Sequence, residues 1–210
     1  MSMKIVLIAD THNQHWNVKI PDGDMIIHAG DMSGSGTTSQ VEDFLAWFRK
    51  LPHRHKILVA GNHDWLFELN NDQARQMVRG IVYLQDEAAV IGGLKIYGTP
   101  WSPWFNDWAF NLNRGEPLRK KWNLISADTD ILITHGPPRG IGDLTDRGEN
   151  TGCADLLEAV RRVKPRLHVF GHIHEGYGVH RRDGMSTIFV NASVLSVEYD
   201  LANSPIVLDL

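Results

Sequence analysis

Five short apolar runs, rich in β-branched residues, recur along the chain, and each stops abruptly in polar residues. They are KIVLIAD (4–10), DMIIHAGD (24–31), KILVAGNHD (56–64), DILITHGPP (130–138) and LHVFGHIH (167–174). A continuous hydrophobic stretch of this length, with no polar alternation, suits a strand buried on both faces. Between the runs lie segments with helical spacing. Residues 38–50 place Val41, Phe44, Leu45 and Phe48 on one stripe. Residues 153–163 do the same with Leu156, Leu157 and Val160, and Pro165 closes that helix. Residues 72–79 predict a weaker helix. Buried strands alternating with helices imply an α/β architecture. Turn signals at Gly92-Gly93 and Asp183-Gly184, both suited to two-residue hairpins, add antiparallel strands, so mixed sheets are expected. No repeat, low-complexity tract or linker divides the chain, and a single domain over 1–210 is expected.

Ligands of open α/β sheets bind beyond the carboxyl ends of the strands. All five of these ends carry Asp, Asn or His: Asp10 and His12; Asp31; Asn62, His63 and Asp64; His135; His172 and His174. One such residue alone is most simply a hydrogen-bonded surface group or a helix cap. Five coincidences at five strand ends call for a shared cause. Carboxylates, an amide oxygen and imidazoles, with no thiolate, suit Mn, Fe, Zn, Ni or Co and argue against a structural zinc site. The set exceeds the needs of one ion, whereas two ions sharing a carboxylate would use it, and Asp31, alone in its motif, is the natural bridge. His172 and His174, two apart after an apolar run, are expected on one face of a strand end.

Composition narrows the partners. A net charge of −4 excludes a generally basic nucleic-acid surface. Cys153 is the single cysteine, so no disulfide framework exists, and a small buried residue in a reducing compartment is expected. The run in MSMKIVLIAD is too short for a signal peptide and ends in an acid, and no later stretch approaches a membrane span. A cytoplasmic protein is expected.

The ordered motifs D-x-H (Asp10 to His12), G-D (Gly30-Asp31), G-N-H-D (Gly61 to Asp64), T-H-G (Thr134 to Gly136) and G-H-x-H (Gly171 to His174) resemble the calcineurin-like metallophosphoesterases. IYGTPWSPWFNDWAFN (96–111), VNAS (190–193) and PIVLDL (205–210) are similar to the metallophosphoesterase-domain-containing phosphodiesterases of the fetal-brain type. The resemblance implies a four-layer αββα sandwich, two mixed sheets flanked by helices, without a cap domain. It implies one metal held by Asp10, His12, Asp31 and His174, and a second held by Asp31, Asn62, His135 and His172. His63 would sit by the phosphate and the leaving oxygen, with Asp64 orienting its ring. Some vertebrate members of that type have Gly where His172 stands, which weakens their second site; this chain keeps the histidine.

The implied activity is a dinuclear phosphodiesterase acting by attack of a hydroxide held between the ions, manganese first among the candidates, then Fe, Zn, Ni or Co. His63 is the candidate proton donor and Asn62 a second phosphate contact. The substrate is expected to be a small phosphodiester or a nucleotide, cyclic nucleotides included, with no long nucleic acid and no membrane. The tract TPWSPWFNDWAFN can form a packed flap over the sheet edge, or one or two rings, Trp101 and Phe105 foremost, can border the cleft and stack a base. Arg139 is a candidate phosphate contact. His28 reads as a core or supporting histidine, and His15, His53, His55, His168 and His180 receive no role. A phosphomonoesterase or protein phosphatase of the same fold, and a non-enzymatic scaffold, are the competing readings.

Overall fold

The apolar runs stop being strands where they stop being apolar. The computed structural model describes residues 2–210. In chain order, the first half contains β1 (Lys4–Ile8), β2 (Met25–Ala29), α1 (Thr38–Lys50), β3 (His55–Val59), α2 (Trp65–Leu69), α3 (Asn71–Met77), β4 (Val82–Tyr83), β5 (Glu87–Ile91) and β6 (Leu94–Thr99). The second half contains β7 (Ser102–Pro103), β8 (Asn111–Leu112), α4 (Glu116–Trp122), β9 (Ile131–Thr134), α5 (Ala154–Val163), β10 (Leu167–Phe170), β11 (Gly178–His180), β12 (Ile188–Asn191) and β13 (Ile206–Asp209).

Two large mixed sheets result. One runs β13-β1-β2-β3-β4, parallel except for β13; the other runs β11-β12-β10-β9-β6-β5, parallel except for its two outer strands. A two-stranded ribbon, β7-β8, carries part of the aromatic tract. Side-chain alternation explains why the runs are hydrophobic throughout. Ile5 and Leu7 of β1 enter the core between the sheets, while Val6 and Ile8 enter the core shared with α1, α2 and α3. On β9, Ile131 and Ile133 face the other sheet, and Leu132 joins the core shared with α4 and α5. Both faces of each sheet are therefore covered, and the four layers are helix, sheet, sheet and helix.

Helices α1 and α5 end where their sequences say, while the weaker helix expected over 72–79 runs Asn71–Met77. Thr37 caps α1 by accepting from the Gln40 amide, and the Cys153 Sγ accepts from the Leu156 amide at the start of α5. Lys164 takes a left-handed φ of 54 at the end of α5, just before Pro165. The Gly92-Gly93 turn joins β5 to β6 as expected. The second hairpin differs. β11 ends at His180 and β12 begins at Ile188, so Asp183-Gly184 turns inside a longer loop and not between paired residues. Two arginines and a charged turn there add no apolar face that would extend the pairing. No helix among the described residues is long and apolar enough to cross a membrane.

Candidate metal centre

The parallel strands β1, β2, β3, β9 and β10 deliver their following residues to one edge. Four of the candidate ligands there, Asp10, His12, Asp31 and His172, adopt left-handed φ values of 56, 38, 55 and 71. For non-glycine residues each such conformation costs on the order of 1 kcal/mol, and such outliers concentrate at functional sites. The strands are turned back sharply so that side chains aim across the edge.

Three overlapping groups of donor atoms form there: Asp10, His12 and His174; His12, Asp31 and His63; and Asp31, His135 and His172, with the atoms of each group lying within 4.8 Å of one another. Asp31 Oδ2 is 3.3 Å from His135 Nε2, 3.7 Å from His12 Nε2 and 4.0 Å from His63 Nε2. His174 Nε2 lies 3.8 Å from Asp10 Oδ1. Asn62 Oδ1 sits 2.9 Å from His135 Nε2.

Backbone carbonyls orient the imidazoles. Nδ1 of His135 bonds the Ala29 carbonyl at 3.0 Å, Nδ1 of His174 the Ser196 carbonyl at 2.7 Å, and Nδ1 of His63 the Gly34 carbonyl at 2.8 Å. Each Nδ1 therefore carries the hydrogen, and each Nε2 is turned inward, the arrangement that suits metal-ligating histidine. The Asp10 carboxylate accepts from the His172 amide and from Ser193 Oγ, which fixes its orientation in the centre. Both ring nitrogens of buried His12 lack a hydrogen-bond partner. An unpaired buried nitrogen beside two carboxylates is what a cation ligand looks like before its cation is added, so this donor set fits divalent metal.

Charges in the centre are linked. Burial lowers His172 to about 3 and also lowers His12. Burial alone would lower His135 too, but the Asp31 carboxylate outweighs it and raises that ring to about 9. Burial would raise Asp31, yet His135, His12 and His63 together hold it well below its usual range. A metal ion would displace the His135 proton from this pair.

Glycine is required where the chain passes closest. A Cβ on Gly171 would lie 2.2 Å from Asp10 Oδ2, and one on Gly61 would lie 2.2 Å from Asp31 Oδ1.

Four expectations need correction. His172 and His174 do not share a strand face: β10 ends at Phe170, His172 is left-handed, and His174 opens a short 3-10 turn. The reversal at His172 sends one ring toward His135, 5.0 Å between centroids, and the other toward His12, at 5.6 Å. Asp64 does not orient the His63 ring. Its oxygens accept from the amides of Gly61, Met32 and Ser33 and from Ser33 Oγ, tying together the loops after β2 and β3, while Gly34 orients His63. Burial, followed by the Asp31 charge, raises Asp64 to about 6. Trp101 does not border the cleft. Its Nε1 donates to Asp86, its ring lies under Lys121 at 4.1 Å, and it packs on the core. Arg139 is exposed and outside the cleft, its carbonyl accepting from Arg182.

A cavity of about 400 Å³ opens over the cluster. Phe105 reaches its wall with the ring 5.4 Å from that of His172, and Trp108 stacks on His63 at 4.3 Å. Trp104 of the aromatic tract also lines it, as do Arg114, Thr151 and Tyr199, those three not singled out by sequence. Tyr199 has a φ of 63 and sets its ring 4.9 Å from that of His12. Ser193 was within reach of sequence reading, as a polar residue at the end of β12 in VNAS. Tyr199 and Arg114 carry no local signal.

Two mixed sheets between helices, with carboxylates and imidazoles gathered at the strand ends, define a metallophosphoesterase. The chain matches the calcineurin-like phosphoesterase family over residues 3–176, and it belongs to that family. It is 44% identical to metallophosphoesterase domain-containing protein 1 of Homo sapiens, over 99% of this chain and 71% of that protein. It is 36% identical to UPF0046 protein K07C11.7 of Caenorhabditis elegans, over 98% of this chain and 74% of that protein. The fold is shared with the crystal structure of phosphopantetheinyl hydrolase from Mycobacterium tuberculosis, with a TM-score of 0.62, 16% identity, and coverage of 93% of this chain and 90% of that one. Family and donor set together describe a metal-dependent hydrolase of phosphoric esters.

Proposed function

We propose that this chain hydrolyses phosphodiester bonds in small nucleotides, cyclic nucleotides among them, using two divalent ions. The observation that carries the reading is the position of Asp31, whose Oδ2 faces His12 on one side and His135 on the other at 3.7 and 3.3 Å. One ion would take Asp10, His12, Asp31 and His174; the other would take Asp31, Asn62, His135 and His172. Manganese is the proposed occupant, since oxygen and imidazole donors without thiolate suit it. Bound there, the ions supply Lewis acidity toward phosphoryl oxygens and a water acidic enough to serve as nucleophile near neutral pH.

The chain's own groups do the rest. His63 donates its Nδ1 hydrogen to the Gly34 carbonyl and is braced by Trp108, so Nε2 is the atom that, in the imidazolium form, hands its proton to the leaving oxygen and leaves the ring neutral. With its oxygen toward the second ion, Asn62 has its amide hydrogens free for a phosphoryl oxygen. Phe105 and Tyr199 keep bulk water from the flanks. The apolar wall beside the centre gives a second ester group somewhere to lie, which favours diesters over monoesters. The proposed setting is the cytoplasm as a single domain over 1–210, in keeping with the buried, unpaired Cys153. The proposed partner is a small substrate and neither a long nucleic acid nor a membrane, because the cleft has no basic track.

The test compares bis-p-nitrophenyl phosphate with p-nitrophenyl phosphate, using protein purified without chelator and supplied with manganese. A higher kcat/KM for the diester supports the reading. Preference for the monoester, or no turnover with two ions bound, overturns it.

A further inference from the structure

Among the described residues lining the cavity, Arg114 is the only lysine or arginine. It follows β8 and reaches across to the loop before α5, where Nη1 donates to the Gly152 carbonyl at 2.8 Å and Nη2 to the Thr151 carbonyl at 2.6 Å. Two of the guanidinium's five N–H donors are thereby used, on neutral acceptors. No carboxylate pairs with it among the described residues. Asp155, the acid on the neighbouring helix, is already engaged by the Gly115 amide at 3.0 Å and by Arg119 at 3.6 Å. A fixed guanidinium with spare donors, in a cavity wall and without a counter-ion, is a receptor for a planar or tetrahedral anion.

The aromatic wall points the same way. Trp104 and Phe105 are 54% and 37% exposed, although rings of this size usually bury. Their loop is bent by left-handed φ at Asn106, Asp107 and Phe110, and Trp104 Nε1 is tied to Asp107 at 2.6 Å. Strained backbone that holds rings out beside a cavity presents stacking faces to a ligand.

We infer that the cleft accepts phosphodiesters whose non-reacting part carries an aromatic base and a second phosphate, with Arg114 binding that phosphate. The inference rests on the phosphodiesterase reading and narrows it. A cyclic mononucleotide brings a single negative charge, which the ions and His63 meet, and would leave Arg114 with nothing to pair. A 5′-phosphorylated dinucleotide brings one anionic phosphate for each place.

The test uses the metal-loaded protein and two substrates with the same scissile bond, the dinucleotide ApA and its 5′-phosphorylated form pApA. The wild type should favour pApA by about tenfold in kcat/KM, mainly through KM, as one charge-assisted contact supplies. Arg114→Gln keeps a donor for the loop carbonyls and loses the charge, and should bring the pApA to ApA ratio to about one. Arg114→Lys keeps the charge and should retain part of the ratio. A ratio near one in the wild type, or one unchanged in Arg114→Gln, overturns the inference. Calorimetry with AMP and adenosine 3′,5′-bisphosphate separates this from failure of the phosphodiesterase reading. If neither dinucleotide is cleaved, that reading falls, and the second phosphate must still tighten binding in the wild type and not in Arg114→Gln; equal binding in both proteins overturns the role of Arg114.

Discussion

Asp31 and His135 stand carboxylate to imidazole at 3.3 Å, both buried, just beyond the ends of strands from opposite sheets. Their relationship joins the two halves of the molecule. Asp31 follows β2, His135 follows β9, and His135 Nδ1 reaches back to the carbonyl of Ala29 at the end of β2. The same Asp31 oxygen lies near His12 on its other side, so one carboxylate faces both donor groups.

Removing that shared carboxylate should therefore damage both sites. Asp31→Asn is expected to lose more metal than a change at any single outer ligand, and to lower kcat/KM by at least about a hundredfold. Elemental analysis of the purified variant reads the metal. Two ions per chain in Asp31→Asn would refute the bridging role.

His172→Gly and His63→Ala should separate metal binding from proton transfer. The His172 ring groups with Asp31 and His135, and its contact with Asp10 is through the backbone amide that glycine keeps, so its loss should loosen the second ion and leave the first. The rate should drop by at least about tenfold, roughly 1.4 kcal/mol of transition-state stabilisation. His63→Ala should keep both ions and slow esters with poor leaving groups most, because only proton donation is lost. Metal stoichiometry beside a leaving-group series decides, and a His63 variant that lost metal would make that ring a ligand.

The aromatic tract should divide by residue. Trp101 is bonded to Asp86 and packed on the core, so Trp101→Ala should cost about 3 kcal/mol of stability and leave the ratio of KM values between substrates alone. Phe105→Ala should raise KM for nucleotides more than for p-nitrophenyl esters and change stability little. Urea unfolding and substrate-pair kinetics test both, and a shifted KM ratio in Trp101→Ala would place that ring in the cleft.

Stability should fall on acidification through a histidine outside the centre. His168 is fully buried; its Nε2 donates to Thr134 Oγ1 at 2.9 Å, that hydroxyl donates onward to the Gly136 carbonyl, and Nδ1 has no partner. Burial lowers it to about 3 from the ordinary 6.5. Between those values the unfolded chain binds the proton and the folded chain does not. The contribution is thus present above about 6.5 and lost as pH falls toward 3, by about 1.4 kcal/mol per pH unit. Chelator-treated His168→Gln, unfolded in urea at pH 7.5 and pH 5, should lose less stability between them than the wild type. Equal losses would count against a neutral buried ring.

Much of this protein is legible in its sequence because local rules govern it. A strand covered on both faces must be apolar throughout, so β1, β2, β3, β9 and β10 announce themselves, and the polar residue that ends each run marks the edge where a ligand can sit. The helices α1 and α5 follow from spacing and caps in the same way. Conformation after the strands obeys no such periodicity. Left-handed turns at Asp10, Asp31 and His172 come from the packing of two sheets against each other, and they separate His172 from His174 where strand alternation would have paired them. Tyr199 and Arg114 enter the cleft from segments far along the chain, and Asp64 turns to loop amides and away from His63. Residue chemistry at the strand ends was determined by the sequence alone. Which atoms face one another was decided only in the tertiary structure, because closing the edge between two sheets sets long-range distances that no local pattern encodes.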